Sequence, residues 1–271
     1  MPTYIKPFGF IMFRVCMAAV LFTIVHALFI KEKVSGFKDY RDLFICAFFG
    51  AAANMLMFFH GLNITTPING SVLMMNTPIF VVILAALINK ERLTWLKIIG
   101  IFSSATGALL LFSGKNFDFS GKTFEGDLFV TLNAVSYAIY LVYVKRVLNK
   151  YEPVTVAKWV FIFGSVIVIP FGFNQFIEIQ WAAIPGNIWG AIAFVIVGTT
   201  FMTYLLNSWA LKKATSSLVG SYIYLQPVLA TMIAVIAGKD ELSVKKIIFT
   251  LLIFAGVYMV NLQFKRRKTN A

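Results

Sequence analysis

The chain has 271 residues, of which 59% are hydrophobic and only 13% are charged. A soluble domain carries about 25% charged residues because its surface faces water, so this composition excludes a water-soluble fold and predicts an all-α integral membrane protein. The net charge of +13 lies between apolar runs and not along one face, which indicates loop charges that set membrane topology and argues against nucleic acid as a partner.

Nine apolar runs reach the roughly 20 residues that a helix needs to cross the hydrocarbon of a bilayer. In chain order the predicted spans are Phe8–Ile30, Leu43–His60, Asn69–Asn89, Trp95–Ser113, Gly126–Leu148, Val154–Phe173, Asn187–Ser208, Ser216–Ala237 and Lys245–Phe264. The short connections make neighbouring helices antiparallel and leave no loop long enough for a soluble catalytic domain. The sequence therefore predicts a bundle of about nine transmembrane helices.

Lys and Arg are distributed unevenly over the two sides of this predicted bundle. Of the 24 such residues, 17 lie on the side of the C-terminus, six lie on the other side, and Arg14 lies within a span. Because basic loops stay in the cytoplasm, we predict a multi-pass protein of the cell (inner or plasma) membrane. Its basic tail, residues 265–271, is expected in the cytoplasm and its N-terminus outside.

An internal repeat appears when the chain is shifted by 149 residues, the distance from Pro78 to Pro227. The same shift carries Ala85, Lys90, Leu93 and Gly107 onto Ala234, Lys239, Leu242 and Gly256. An odd number of spans separates the matched positions, which predicts two inverted-topology repeats. We expect a first half, residues 1–113, with four helices and a second half, residues 126–264, with five. The shift places the counterpart of Gly126–Leu148 ahead of Met1, so the first half is expected to lack its first helix.

Three stretches carry a resemblance to a known family. They are Pro7-x6-Arg14, the run from Gly61 through Pro78 to Leu93, and its echo from Ala210 through Pro227 to Leu242. In these features the chain resembles the EamA-type members of the drug/metabolite transporter superfamily. The resemblance implies ten helices, two cytoplasmic ends, and export or exchange of small metabolites such as amino acids. This chain is expected to depart from that pattern by lacking the first helix, either because its start is truncated or because this variant works with nine helices.

Pro78 and Pro227 lie near the middle of their predicted spans. A proline has no N–H, so each frees a carbonyl one turn back, at Met74 and Ile223. In lipid such a group needs a partner or a water-lined cavity. The two prolines are therefore candidate hinges at the wall of a central cavity, and the alternative is a kink used only for packing.

Polar side chains gather on the same predicted helices. The candidates for a solute cavity are Asn54, Asn76, Thr77, Asn133, Tyr137, Tyr140, Thr203, Asn207, Tyr222 and Gln226. The alternative role is hydrogen bonding between helices, worth about 0.6–2 kcal/mol per contact. A cavity of amides, hydroxyls and aromatic rings suits a neutral or zwitterionic solute.

Arg14 is the intramembrane charge of this sequence, about two turns into the first predicted span. It could extend to the interface, hold the carboxylate of a solute, or brace the absent helix. Asp and Glu lie in loops or within a turn of them, so no embedded carboxylate is expected for proton coupling, unless the absent first helix carries it.

Small residues recur every fourth position in the fourth predicted span, at Gly100, Ser104 and Ala108. Such spacing lets helices approach closely. Packing within the chain is the favoured interpretation, and a homodimer face is the alternative.

The combined prediction is a secondary transporter or permease that moves a small neutral or zwitterionic metabolite by alternating access, with export as the expected direction. Its expected partners are the solute and the lipid bilayer, with no cofactor and no metal. An enzyme is not expected, because the sequence has no paired carboxylates, His cluster or activated nucleophile of the kind that chemistry requires. A non-transporting accessory protein and a membrane-embedded enzyme remain the alternatives.

Overall fold

The computed structural model describes residues 4–111, 123–238 and 243–269, with side chains described as far as 262. Its helices are α1 Pro7–Ile30, α2 Phe37–Ile64, α3 Pro67–Asn89, α4 Trp95–Leu111, α5 Phe124–Leu148, α6 Pro153–Ile177, α7 Gly186–Lys213, α8 Ser216–Ile236 and α9 Val244–Thr269. All except α4 contain a stretch long and apolar enough to cross a membrane. The predicted all-α membrane bundle of about nine helices is thus confirmed for the described residues.

Five predicted helix bounds were wrong by more than a turn. The ends of α2, α6 and α9 lie at Ile64, Ile177 and Thr269, not at His60, Phe173 and Phe264. Helix α2 also begins at Phe37, not Leu43, and α7 ends at Lys213, not Ser208. At the start of α2 and the end of α7 the helix continues through a charged or polar turn beyond the apolar run, because backbone hydrogen bonds persist after the side chains have left the hydrocarbon. Ser113, the predicted end of the fourth span, lies outside the described residues.

The loops that follow α1, α3, α5 and α7 meet at one end of the bundle, which we call the basic end. Exposed ion pairs join these segments, with 2.7 Å between Lys150 Nζ and Asp39 Oδ1 and 2.7 Å between Lys212 Nζ and Glu152 Oε1. Exposed pairs of this kind contribute about 0–1 kcal/mol each. They show which segments share an end and add little to the stability of the bundle.

The other end of the bundle, here called the opposite end, is held by polar contacts to α1 and α5. Gln175 Oε1 accepts hydrogen bonds from the backbone N–H groups of Phe8 (2.9 Å) and Gly9 (3.2 Å). These N–H groups belong to the first turn of α1, and the N–H groups of a first turn have no hydrogen-bond partner within their own helix. Asp127 accepts hydrogen bonds from the hydroxyls of Thr65 and Thr123.

Helices α4 and α9 cross where residues 149 apart in the chain meet. Ser103 Oγ donates to the carbonyl of Leu252, and Ser104 Oγ donates to the carbonyl of Ile253, each at 3.2 Å. A residue touches its own counterpart only on the axis that relates two repeats. The small residues of α4 lie in this crossing, where a Cβ on Gly100 would be 2.6 Å from the carbonyl oxygen of Gly256. The small-residue stripe therefore packs within the chain.

Helices α1 and α6 pack with the same internal symmetry. Gly9 N donates to Gln175 Oε1 at 3.2 Å, and Lys158 Nζ lies 3.4 Å from His26 Nδ1. The shift of 149 carries Gly9 onto Lys158 and His26 onto Gln175, so each contact is the image of the other. The predicted inverted-topology repeat is confirmed by these two crossings, and α5 has no counterpart among the described helices of residues 4–111.

The main buried core lies where α1, α2, α5 and α6 meet. Phe22 and Phe161 stack there with 5.4 Å between ring centroids, and Tyr140 is also fully enclosed. Because lipid is as apolar as these side chains, close packing and not exclusion of water holds such helices together. This core fixes the helices that carry the candidate site.

Candidate functional site

Both halves of the bundle contain irregular helical turns at matching positions. A π-helical turn interrupts α2 at Phe48–Ala52, and another interrupts α7 at Val195–Met202. The shift of 149 carries the first onto residues 197–201, inside the second. Single π-helical turns are rare and are frequently found at functional sites.

The two helices with a central proline are also interrupted in both halves. Regular helix in α3 stops at Met74 and resumes at Thr77, and α8 passes through a 3-10 turn at Tyr222–Tyr224. Pro78 and Pro227 each follow their break directly and are buried. The predicted hinge positions thus coincide with real interruptions of the helices.

Thr77 supplies the hydrogen bond that Pro78 lacks. Its hydroxyl donates to the carbonyl of Met74 at 2.7 Å, and its side chain is fully buried. This is the carbonyl that a residue other than proline at position 78 would satisfy. In the second half the same position is Gln226, whose side chain is exposed to a cavity.

A cavity of about 240 Å³ lies between the two broken helices. Its walls are formed by Arg14, Asn54, Met55, Phe58, Phe59, Met74, Asn133, Tyr137, Tyr204 and Gln226. Four of the polar candidates predicted from sequence are among them, together with the predicted intramembrane charge. The structure therefore brings Asn54, Asn133, Tyr137, Gln226 and Arg14 together.

A second cavity of about 320 Å³ lies beside the first, on the side of the opposite end. The two share Phe58, Met74 and Gln226, and the second reaches Pro67, the first residue of α3. Pro227 lies on its wall. The central cavity thus adjoins a cavity that extends toward the opposite end of the bundle.

Asn133 is almost completely buried on the wall of the central cavity. Its Nδ2 donates to the backbone carbonyl of Asn54 at 2.6 Å, which fixes the orientation of the amide. Its Oδ1 is buried and has no hydrogen-bond partner within the described part of the chain. An unsatisfied buried acceptor therefore lies at the cavity.

Arg14 is the cation of the same cavity. Its Cζ lies 5.9 Å from the centroid of the Phe59 ring, a cation–π contact. Its Nε is buried without a hydrogen-bond partner, and no Asp or Glu in the described ranges pairs with it. The charge of the guanidinium is therefore not neutralised by the described residues.

Two further candidates lie behind the cavity wall. Asn207 Nδ2 donates to the hydroxyl of Tyr137 at 3.0 Å, so it orients a wall residue. Tyr140 is buried and stacks on Tyr137 with 5.9 Å between ring centroids. A third candidate, Thr203, is exposed and directly follows the π-helical turn of α7, where its hydroxyl donates to the carbonyl of Gly198 at 3.1 Å.

The remaining candidates lie at the breaks and not among the residues that line the two cavities. Asn76 is half-buried, and its backbone carbonyl accepts from the N–H groups of Ile79 and Phe80. Tyr222 is 48% exposed on the surface of α8. Both residues mark the interruptions of their helices.

Several wall residues were not predicted from the sequence. Tyr204, whose hydroxyl donates to the carbonyl of Gly50 at 2.5 Å, adjoins the predicted Thr203 and could have been found from that position. Met55, Phe58 and Phe59 carry no such signal, because an apolar residue facing a cavity has the same composition as one facing lipid. Their role emerges only from the packing of the helices.

A buried ionic cluster lies at the basic end. Glu91 accepts from Lys97 Nζ (3.0 Å), from the hydroxyl of Ser217 (2.6 Å) and from the backbone N–H of Ser216 (3.1 Å). The side chains of Glu91 and Lys97 are only 5% and 6% exposed. The cluster ties the α3–α4 connection of the first half to the start of α8 in the second half.

Lys145 strengthens the same end from α5. Its Nζ donates to the backbone carbonyl of Leu211 at 2.6 Å and to that of Ala214. These carbonyls end α7, where a cation is favoured by the helix dipole. The connection between α7 and α8 is therefore held from two sides.

An inverted repeat with paired helix breaks around a central polar cavity is the architecture of a secondary transporter. The model of the EamA-like transporter family matches residues 1–113 and 124–262 of this chain. The chain therefore belongs to the EamA-like transporter family, as the resemblance in its sequence implied.

Relatives and solved structures agree with this assignment. The uncharacterized transporter YyaM of Bacillus subtilis is 30% identical over 222 residues, which cover 81% of this chain and 71% of YyaM. An uncharacterized transporter of Archaeoglobus fulgidus is 26% identical over 257 residues, or 95% of this chain and 89% of that protein. A crystal structure of a protein 20% identical to this chain matches 97% of it and 89% of its own chain with a TM-score of 0.79, which supports the fold alone.

Proposed function

We propose that this protein moves a small neutral or zwitterionic metabolite, such as an amino acid, across the cell (inner or plasma) membrane by alternating access. The observation that carries the proposal is the central cavity, because its polar walls lie between two helices broken at symmetric positions. Within a membrane span, polar side chains and backbone groups without hydrogen bonds are costly unless they face a cavity or a hydrogen-bond partner. The proposed direction is export.

Alternating access requires that one end of the cavity is closed while the other is open. The Glu91–Lys97 cluster and Lys145 support a closed basic end, and the second cavity supports an opening toward the opposite end. Inverted repeats interconvert two such states when one half rocks against the other. We assign the two halves to residues 1–113 and 126–264.

The charge distribution supports a cytoplasmic basic end, with the basic tail 265–271 on the same side. In that orientation the described conformation faces outward. A relative with a similar span, the uncharacterized inner membrane transporter YicL of Salmonella typhimurium, is 23% identical over 251 residues, 92% of this chain and 82% of YicL. Its location supports the inner membrane for this chain.

Counterflow in reconstituted vesicles tests the proposed function. Vesicles loaded with an unlabelled amino acid, for example L-phenylalanine, L-leucine or L-serine, should accumulate the labelled form from outside when they contain the protein. Protein-free vesicles of the same lipid are the control. Accumulation no greater than in those vesicles for every solute of the panel would contradict the proposal and favour an accessory protein.

A further inference from the structure

We propose that Arg14 binds the carboxylate of the transported solute and that Asn133 accepts a hydrogen bond from the donor beside that carboxylate. The inference rests on the proposed transport function and narrows its substrate class. It assigns the central cavity to compact solutes that carry a carboxylate next to an ammonium or N–H group, in preference to neutral solutes.

The first argument is the unbalanced charge of the cavity. A guanidinium within a membrane span is costly unless it is paired or hydrated. Arg14 lines the central cavity, its Nε is buried without a partner, and no carboxylate of the described ranges lies within ion-pair distance. The contact with the Phe59 ring supports the side chain but does not neutralise it. A solute carboxylate would supply the missing anion and match the planar fork of the guanidinium.

The second argument is an independent unsatisfied atom on the same wall. Asn133 uses Nδ2 on the carbonyl of Asn54, so its Oδ1 is fixed as an acceptor, and that atom is buried without a partner. A buried acceptor of this kind is costly unless something donates to it. One unsatisfied donor and one unsatisfied acceptor on a cavity of about 240 Å³ form a polar pair that a zwitterionic head group would satisfy.

One part of the remaining wall fits the apolar body of such a solute. Met55, Phe58 and Met74 are apolar, and Tyr204 has its hydroxyl engaged by the carbonyl of Gly50. The other part is polar and consists of Asn54, Tyr137 and Gln226. The apolar part can therefore contact an apolar side chain on a carboxylate-bearing head.

Matched acids and amides separate a carboxylate site from general binding. The probes are L-phenylalanine with L-phenylalaninamide, and L-leucine with L-leucinamide, because each pair differs only at the carboxylate. Affinity is measured on the purified protein by ligand-induced thermal stabilisation, and transport by counterflow. Wild-type protein should prefer each acid, and Arg14→Gln should lose roughly 10- to 100-fold of the acid affinity, the range for a hydrogen bond to a charged group.

Arg14→Lys and Lys6→Gln are the matched variants. Arg14→Lys keeps the positive charge but removes the paired N–H donors of the guanidinium, so it should retain part of the preference for the acid. Lys6→Gln removes a charge just before the same helix, from an exposed pair with Glu178, and should bind like wild type. Asn133→Leu should lower affinity for the amino acids but not for 3-phenylpropionate, which lacks the ammonium group.

The outcomes distinguish this inference from the transport function. If folded Arg14→Gln keeps the preference for the acid, or if wild type moves acid and amide equally, the carboxylate site is wrong and transport stands. If wild type neither binds nor moves any probe, both proposals fail. If Arg14→Gln does not fold, the carboxylate site is tested by the preference for acid over amide in wild type and in Arg14→Lys. Equal affinity for acid and amide in both proteins would then contradict it.

Discussion

At the scale of single residues, the side chains of the candidate site have different structural roles. Thr77 completes the backbone at a helix break, Asn207 orients Tyr137, and Asn133 and Arg14 present unsatisfied atoms to the cavity. In water these distinctions would matter less, because solvent would satisfy each group. Inside a membrane they separate groups whose hydrogen bonds are satisfied from groups whose hydrogen bonds are not, and we expect only the second kind to bind solute.

Thr77→Val tests whether the Thr77 hydroxyl stabilises the helix break before Pro78. Valine keeps the shape and removes the hydroxyl, which leaves the carbonyl of Met74 without its 2.7 Å hydrogen bond. We expect a loss of about 1–3 kcal/mol, the cost of an unsatisfied buried acceptor, seen as a lower midpoint of thermal unfolding in detergent. Thr77→Ser should behave like wild type. An unchanged midpoint with weakened transport would instead mean that the hydroxyl contacts the solute.

At the scale of helices, close approach of backbones holds the two halves together. The crossing of α4 and α9 depends on Gly100 and Gly256, which bring no Cβ between the two helix backbones, and on Ser104, whose Oγ donates to the carbonyl of Ile253. Such contacts in lipid rely on van der Waals packing and short polar bonds. The stripe that could have formed a dimer face is occupied by a helix of the same chain.

Gly100→Leu tests this crossing. A Cβ at position 100 would lie 2.6 Å from the carbonyl oxygen of Gly256, so the helices must separate, at a cost of about 1–3 kcal/mol. Thermal unfolding in detergent measures the loss. Gly190→Leu is the matched control, since nothing lies within 4 Å of its Cβ position. Equal stability of the two variants would contradict the crossing, and a change in particle size alone would point to a dimer face.

The sequence predicts the helices and their symmetry well, because both leave a local signal. Apolar runs mark the spans, and Pro78 with Pro227 marks the breaks. Phe58 and Met74 could not be predicted as cavity walls, since lipid-facing and cavity-facing apolar residues look alike. Glu91 and Lys97 also escaped prediction, because they resemble ordinary loop charges, and only the fold buries them.

At the scale of the whole molecule, we expect the buried cluster at the basic end to set the balance between the two states that the proposed alternating access requires. Removing one partner of a buried ion pair leaves the other charge uncompensated, at a cost of about 3–5 kcal/mol. In a state where this end is open, water would hydrate the remaining charge. The cost would then fall on the closed state alone, and each 1.4 kcal/mol corresponds to about a tenfold shift in population.

The last prediction is that Glu91→Gln opens the basic end. Two reporters follow the change, in a chain whose Cys16 and Cys46 are replaced by Ala. Ser71→Cys lies on the second cavity, and Ser221→Cys is buried one turn beyond Ser217 on the same face of α8. In intact cells an impermeant maleimide should label Ser71→Cys, and a permeant maleimide should label Ser221→Cys only slowly.

With Glu91→Gln added, Lys97 remains charged without its partner, so labelling of Ser221→Cys should rise at least tenfold and that of Ser71→Cys should fall. Lys150→Gln is the matched control, because it breaks an exposed pair at the same end and costs the closed state little. Parallel changes at both reporters would indicate general loosening, and unchanged rates would mean that the cluster does not govern access. Labelling of Ser71→Cys only after the cells are permeabilised would reverse the proposed orientation, and the basic end would then face outside.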